Sequence, residues 1–125
     1  MNELAESLEV LELGTGWVDV IAEAELETEV GVPALVGAHA VAVFRTHDGE
    51  LFAVSNIDPR TGSSVIARGI VGSRGEIPTV ASPLYKEVYD LRTGYCLDDQ
   101  SKRLEPYEVR IVGGIVQVRG IDGGR

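Results

Sequence analysis

Cysteine is almost absent from this chain: among 125 residues the one cysteine is Cys96. An internal disulfide is therefore excluded, and a cytoplasmic protein is expected, since small secreted domains commonly depend on disulfides. Long apolar runs are missing too, because no stretch approaches the roughly 20 residues that a membrane-spanning helix needs. The N-terminus begins acidic and lacks the basic segment of a secretory signal. These absences favour a soluble domain with no membrane partner.

Positive charge is missing from the first quarter of the chain. Residues 1–30 contain no lysine or arginine, whereas the rest of the chain carries 11 acids and 11 bases, so the net charge of −9 comes from the N-terminal part. We predict an acidic arm over residues 1–16, a folded domain over 17–119, whose charges balance from residue 31 onward, and a tail over 120–125. A solvated arm and an arm that meets a basic partner both fit this pattern. Nucleic acid is not expected as a partner, because phosphate binding requires concentrated positive charge.

Short β-type runs fill the predicted domain, and helical periodicity is nearly absent. The runs are rich in β-branched and aromatic residues and are bounded by turns. "THDG" (46–49) and Gly113–Gly114 are typical of hairpin turns. We therefore predict an all-β fold, a small antiparallel sandwich or barrel with few or no helices. The predicted strands are 17–21, 33–37, 40–45, 51–55, 79–82, 87–91, 107–112 and 115–119.

The stretch between the fourth and fifth predicted strands, residues 59–78, has no stable period and is expected to be a long structured loop. Its glycine-rich part, "GIVGSRG" (69–75), follows no long β-run and opens no helix, so it fails the context test for a dinucleotide site. We interpret residues 69–75 as a flexible loop. Residues 59–75 also hold Arg60, Arg68 and Arg74 with no acid. Such a set suits either an interface with a partner or three solvated loop arginines.

Residues that carry chemistry are few, and their spacing is unfavourable. Cys96, His39 and His47 do not fall at chelating distances such as C-x2-C or H-x3-H, so we predict no metal site from them. Ser82 precedes a proline rather than sitting in the glycine-flanked elbow of a hydrolase. No histidine lies near Cys96 in sequence to activate it. We accordingly predict no catalytic residue in this chain.

A longer pattern is recognisable in "GELFAVSNIDPRTGSSVIARGIV", "TVASPLYKEVYDLRTGYCLDD" and "YEVRIVGGIVQV". Over about residues 17–119 it resembles a Rieske-type domain, in which two loops, each with one Cys and one His, hold a [2Fe–2S] cluster. The resemblance implies a Rieske-like fold with a cluster-loop subdomain. It places the Cys and the His of the first loop on Asp58 and Arg60, respectively, and those of the second loop on Ser82 and Tyr85. Arginine cannot coordinate metal, and carboxylate and hydroxyl oxygens match iron–sulfide chemistry poorly, so no cluster is expected.

Within that family the stretch "VIARGIVGSRGEIPTVASPLYKEVYDLRTGYCLDD" is similar to the small subunits of assimilatory NAD(P)H-dependent nitrite reductases. The resemblance implies a partner, a cytoplasmic large subunit with FAD, an iron–sulfur cluster and sirohaem that reduces nitrite to ammonium. This chain would then be a subunit of an oxidoreductase with no active site or cofactor of its own. The alternative is an interaction module, or a ferredoxin-like accessory protein, of another oxidoreductase.

Two hypotheses about residues follow from the resemblance. In place of metal bonds, the two loops would be closed by hydrogen bonds and by an ion pair between Asp58 and Arg60, with the hydroxyls supplied by Ser82 and Tyr85. The alternative is that these four positions became exposed polar residues once metal ligation was lost. The same loops form the docking surface of Rieske electron-transfer proteins, so the large subunit is expected to meet four nearby cations. These partner-binding candidates are Arg60, Arg68, Arg74 and Lys86.

Overall fold

The computed structural model describes residues 16–120, which fold into nine β-strands and two short 3-10 helices. The predicted arm and tail, apart from Gly16 and Gly120, lie outside the described residues. The 3-10 helices span Glu23–Glu25 and Ile66–Arg68. No helix within residues 16–120 has the length and apolar character needed to cross a bilayer. The strands are β1 Val18–Ala22, β2 Val32–Val36, β3 His39–Arg45, β4 Leu51–Ser55, β5 Ile70–Arg74, β6 Ile77–Ala81, β7 Val88–Asp90, β8 Pro106–Val112 and β9 Ile115–Gly120.

The strands form two antiparallel sheets, which confirms the predicted all-β class. Six strands pair in the order β1-β9-β8-β4-β3-β2 and curl into a nearly closed barrel, while β5-β6-β7 form a smaller sheet. Both predicted hairpins are present, β3–β4 and β8–β9. At the second of these turns Gly113 and Gly114 both have positive φ, +60° and +80°, which two adjacent L-residues with side chains rarely adopt.

The interpretation of residues 69–75 as a flexible loop is wrong. Ile70–Arg74 form strand β5, which pairs along its whole length with β6 through the two-residue turn Gly75–Glu76. The long loop predicted over 59–78 is accordingly cut short by β5, the start of β6 and the second 3-10 helix. β5 is an edge strand whose residues are mostly exposed, so the sequence shows no alternating apolar pattern there. Its strand conformation depends on the hydrogen-bonded ladder with β6.

Two apolar cores meet at strand β3, whose run from Val41 to Phe44 is fully buried. Val41 and Val43 face the barrel interior, together with Val116 and Val118 of β9. The other face of β3, with Ala42 and Phe44, packs against the smaller sheet and the second 3-10 helix, through residues Ile66, Val80, Tyr89 and Leu91. Burial of both faces explains why β3 reads as a continuous apolar run rather than an alternating one. This packing fixes the smaller sheet, and with it the two loops described next, on the barrel.

Candidate functional site

The first candidate loop follows strand β4 and turns at residues 58–62. Asp58 is fully buried, and its Oδ1 accepts hydrogen bonds from the backbone N–H groups of Arg60 at 2.7 Å and Thr61 at 3.3 Å. The Gly62 N–H donates to the Asp58 carbonyl oxygen at 2.7 Å, and Gly62 has a φ of +80° that favours glycine. The aspartate therefore shapes this loop by satisfying its backbone donors.

The second loop, residues 82–86, connects strands β6 and β7. Ser82 is buried, with 1% of its surface exposed, and its carbonyl accepts a hydrogen bond from the Lys86 N–H at 2.9 Å. Its hydroxyl also accepts from the Leu84 N–H at 3.3 Å. Lys86 has a φ of +62°, in the left-handed region that L-residues rarely occupy. We call the two loops, residues 58–62 and 82–86, the tip.

A direct hydrogen bond joins the two loops of the tip. The Ser82 hydroxyl donates to Oδ2 of Asp58 over 2.5 Å, between two side chains that solvent does not reach. These residues stand at the two positions where the resemblance places the cysteines. The side chains thus contact one another across the space that the resemblance assigns to a metal centre.

A second contact joins the outer part of the tip. The Arg60 guanidinium lies over the Tyr85 ring, 4.1 Å from its centroid, and its Nη1 is 3.5 Å from Oε2 of Glu87. The expected ion pair between Asp58 and Arg60 is wrong, because the Asp58 carboxyl group faces inward to backbone donors and Ser82. The half-exposed guanidinium reaches across to the other loop instead. Tyr85 contributes its ring to this contact, a cation–π interaction worth about 0.5–1 kcal/mol at an exposed site.

Glu87 lies at the centre of this outer network, although sequence reasoning did not single it out. Besides Arg60 it contacts Nζ of Lys102 at 3.6 Å and accepts a hydrogen bond from the Tyr89 hydroxyl at 3.4 Å. Burial, and next the negative charge of Glu87, raise the pKa of the Tyr89 hydroxyl. Lys102 also binds Asp99 at 2.6 Å, and this hydrogen bond lowers the pKa of Asp99 and raises that of Lys102. Glu87 thereby ties both loops to the segment that follows β7.

A repeated pentapeptide was also missed. "DPRTG" (58–62) and "DLRTG" (90–94) fold into the same turn, with an aspartate Oδ1 that accepts from the N–H two residues on and a glycine N–H that donates 2.7 Å to the aspartate carbonyl. The second turn lies at the other end of the smaller sheet, since β7 runs from Val88, opposite Ala81, to Asp90, opposite Thr79. The recurring D-x-R-T-G pattern is the sequence signal that could have found it. The chain therefore carries a built-in comparison: one copy of this turn at the tip and one away from it.

The four proposed partner-binding cations do not form one group. Arg60 and Lys86 belong to the tip, and Arg68 lies beside it, since Gly69 packs closely against the Ala81 carbonyl oxygen. Arg74 pairs with Ile77 at the far end of β5, about 13 Å from Ile70 at 3.3 Å per residue. It also forms an ion pair with Asp98, 3.0 Å away.

The tip does not fit a [2Fe–2S] cluster. Asp58 and Ser82 hydrogen-bond to each other, and Arg60 is engaged with a ring and a carboxylate and cannot ligate metal. Within residues 16–120 no group of three or more His, Cys, Asp and Glu side chains is arranged to hold a metal ion. Cys96 is buried in the core beside the smaller sheet, and His39 and His47 are exposed on the barrel.

Comparison with known proteins agrees with the Rieske-like fold. The model of the Rieske-like [2Fe-2S] domain family matches residues 16–119. The nitrite reductase (NADH) small subunit of Escherichia coli K12 is 42% identical over 106 residues, which cover 83% of this chain and 97% of that protein. The NMR structure of the E. coli protein NirD superposes with a TM-score of 0.76 at 40% identity, over 84% of this chain and 96% of that one. The nitrite reductase [NAD(P)H] large subunit of Klebsiella oxytoca contains a segment 33% identical over 90 residues, 72% of this chain and 9% of that protein.

Proposed function

This chain belongs to the Rieske-like [2Fe-2S] domain family, among the small subunits of nitrite reductase, and we propose that it is the non-catalytic subunit of a cytoplasmic NAD(P)H-dependent enzyme that reduces nitrite to ammonium. In this proposal the chain binds the large subunit through the tip and carries no [2Fe–2S] cluster. FAD, an iron–sulfur cluster and sirohaem belong to the large subunit.

The observation that carries the proposal is the Asp58–Ser82 hydrogen bond. It holds the two loops in their arrangement by side-chain contacts that need no metal. In this proposal the tip holds no redox centre, so its contribution to the enzyme is contact with the large subunit. Contact can support assembly, or it can hold the large subunit in an active conformation.

The relative from Klebsiella oxytoca supports the choice of partner. There a segment similar to this chain is part of a large subunit. Two polypeptides that are fused in one protein and separate in another commonly bind each other. A large subunit is therefore the partner whose surface the tip is expected to match.

At the tip, the Arg60–Tyr85 stack is the part best suited to binding. Arginine and tyrosine are enriched among the residues that dominate binding energy. Tyr85 is 54% exposed, and the Arg60 side chain is 49% exposed. Because the stack already bridges two loops, little conformational freedom is lost when a partner covers it. Arg74, at the other end of the smaller sheet, is not part of this surface.

The test compares two arginines in the same pentapeptide turn. Arg60→Ser removes the tip arginine, whereas Arg92→Ser is the matched control, half-exposed in the second D-x-R-T-G turn and paired there with Asp90. We expect Arg60→Ser to weaken co-purification with the large subunit and to lower the NAD(P)H-dependent nitrite reduction of the mixture, and Arg92→Ser to leave both unchanged. Equal behaviour of the two variants would count against the tip as the docking surface. A wild-type chain that fails to bind the large subunit would count against the function itself.

A further inference from the structure

An apolar row crosses the outer face of the smaller sheet next to the tip. In the register of β5, β6 and β7, Ile70 lies opposite Ala81, which lies opposite Val88. Their neighbours Val71, Val80 and Tyr89 face the core, so the row faces the opposite side. Ile70 is 74% exposed, more than any other large hydrophobic residue among residues 16–120. A contiguous exposed apolar row rimmed by polar residues is typical of an interaction site.

The two unpaired cations of residues 16–120 lie within two residues of this row in sequence. Arg45, Arg60, Arg74, Arg92, Lys102, Arg103, Arg110 and Arg119 each have an ion pair, a hydrogen bond or an aromatic ring as partner. Arg68 and Lys86 have none. Arg68 lies two residues before Ile70, and Lys86 lies two residues before Val88. The other Lys and Arg side chains of residues 16–120 have partners within the protein. Two free positive charges near an exposed isoleucine therefore complement carboxylates on another molecule.

We infer that a second contact with the large subunit extends the docking surface from the tip onto the smaller sheet. We call this contact the Ile70 patch; its residues are Arg68, Ile70, Ala81, Lys86 and Val88. The matching surface on the large subunit is an apolar depression with acidic residues at its rim. This inference rests on the proposed function and names where, beyond the tip, the partner is held.

A second copy of this chain fits the Ile70 patch less well. In a two-fold dimer the same patch of both copies meets, so Arg68 and Lys86 of one copy would face the same two cations of the other. Like charges brought together at an interface oppose association. A partner with carboxylates removes that opposition and also neutralises the two free charges.

The experiment uses a pair of exposed aliphatic residues on edge strands. Ile70→Glu changes the patch, and Leu35→Glu is the control, since Leu35 is 69% exposed on β2 at the edge of the larger sheet. We expect Ile70→Glu to raise the Kd for the purified large subunit at least tenfold and Leu35→Glu to change it less than twofold, with both variants keeping the wild-type thermal midpoint. A double variant, Arg68→Ala with Lys86→Gly, should flatten the salt dependence of that Kd, and glycine suits the φ of +62° at position 86.

The outcomes separate the inference from the proposed function. If the wild-type chain binds the large subunit and Ile70→Glu binds as tightly, the Ile70 patch is not a contact while the function stands. If the wild-type chain does not bind the large subunit at all, the proposed function fails first. If the chain alone forms dimers that Ile70→Glu dissociates, the occupant is a second copy and the inference is overturned.

Discussion

The hydrogen bond between Asp58 and Ser82 predicts a strong energetic coupling between the two loops of the tip. Ser82→Ala leaves Oδ2 of a fully buried carboxyl group without its donor. An unsatisfied buried polar group costs about 1–3 kcal/mol. Asp58→Ala leaves the Ser82 hydroxyl without its acceptor and also frees the Arg60 and Thr61 N–H groups, so we expect a loss of about 2–4 kcal/mol. In a domain of this size such losses lower Tm by roughly 5 to 15 °C.

The double variant distinguishes a direct bond from two unrelated losses. Removing both partners deletes the buried polar pair together, so the double variant should be less destabilised than the sum of the single variants, by about 1–3 kcal/mol. The free energy of unfolding is measured in urea, with the fluorescence of Trp17, the one tryptophan, as a reporter outside the tip. Ser73→Ala, which changes an exposed serine of β5, is the control and should stay within about 0.5 kcal/mol of the wild type. Single effects that add without coupling would refute the loop-bridging role.

Three further predictions concern residues around this bridge. Gly62→Ala should cost about 1–2 kcal/mol, because position 62 has a positive φ. Gly94→Ala should destabilise the protein more, because the added methyl group would also collide with the carbonyl oxygen of Leu104. Equal urea midpoints of the two variants would contradict this. The pKa of Tyr89 is raised above that of the unfolded chain, so the stability that its neutral hydroxyl contributes is complete below about pH 10 and is lost as pH rises through the folded-state pKa. Urea midpoints of the wild type should therefore fall more steeply than those of Tyr89→Phe between about pH 10 and pH 11.5. Parallel curves would show that the hydroxyl is not linked to folding. Tyr85→Ala removes a ring that is 54% exposed, so the free energy of unfolding should change by less than about 1 kcal/mol while binding to the large subunit weakens; unfolding of the variant at room temperature would point to a structural role.

Most strands and turns of the fold were predictable from local patterns in the sequence. β4 has the predicted bounds, Leu51–Ser55, because turn residues on both sides delimit a dense run of β-formers. The Gly113–Gly114 turn was predictable because its backbone conformation needs glycine at both positions. β5 was not predictable in this way. Its exposed residues and Gly72 give no alternating pattern, and its strand conformation depends on pairing with β6.

The positions of the two loops of the tip were predictable from the sequence, but the contacts of their side chains were not. The resemblance placed Asp58 and Ser82 at facing positions of two loops, and the structure joins them directly. The partner of Arg60 depends on which way its guanidinium points, and it reaches Glu87, 27 residues away in sequence, rather than Asp58, two residues away. The same limit applies to buried Asn56, whose side chain accepts a hydrogen bond from the Ala67 N–H at 2.7 Å and holds the second 3-10 helix beside the first loop. Contacts between distant segments are set by packing, which a single sequence does not display.

Iron analysis and an enzyme assay on one preparation test whether the small chain supports nitrite reduction without a cluster of its own. The chain is expressed with its large subunit, and NAD(P)H-dependent nitrite reduction is compared with that of the large subunit alone, while iron and the visible spectrum are measured on the separated small chain. We expect the small chain to be colourless, to contain no iron and to raise the activity of the large subunit. A small chain with about two irons and a [2Fe–2S] spectrum, or a large subunit equally active without it, would contradict the proposed function.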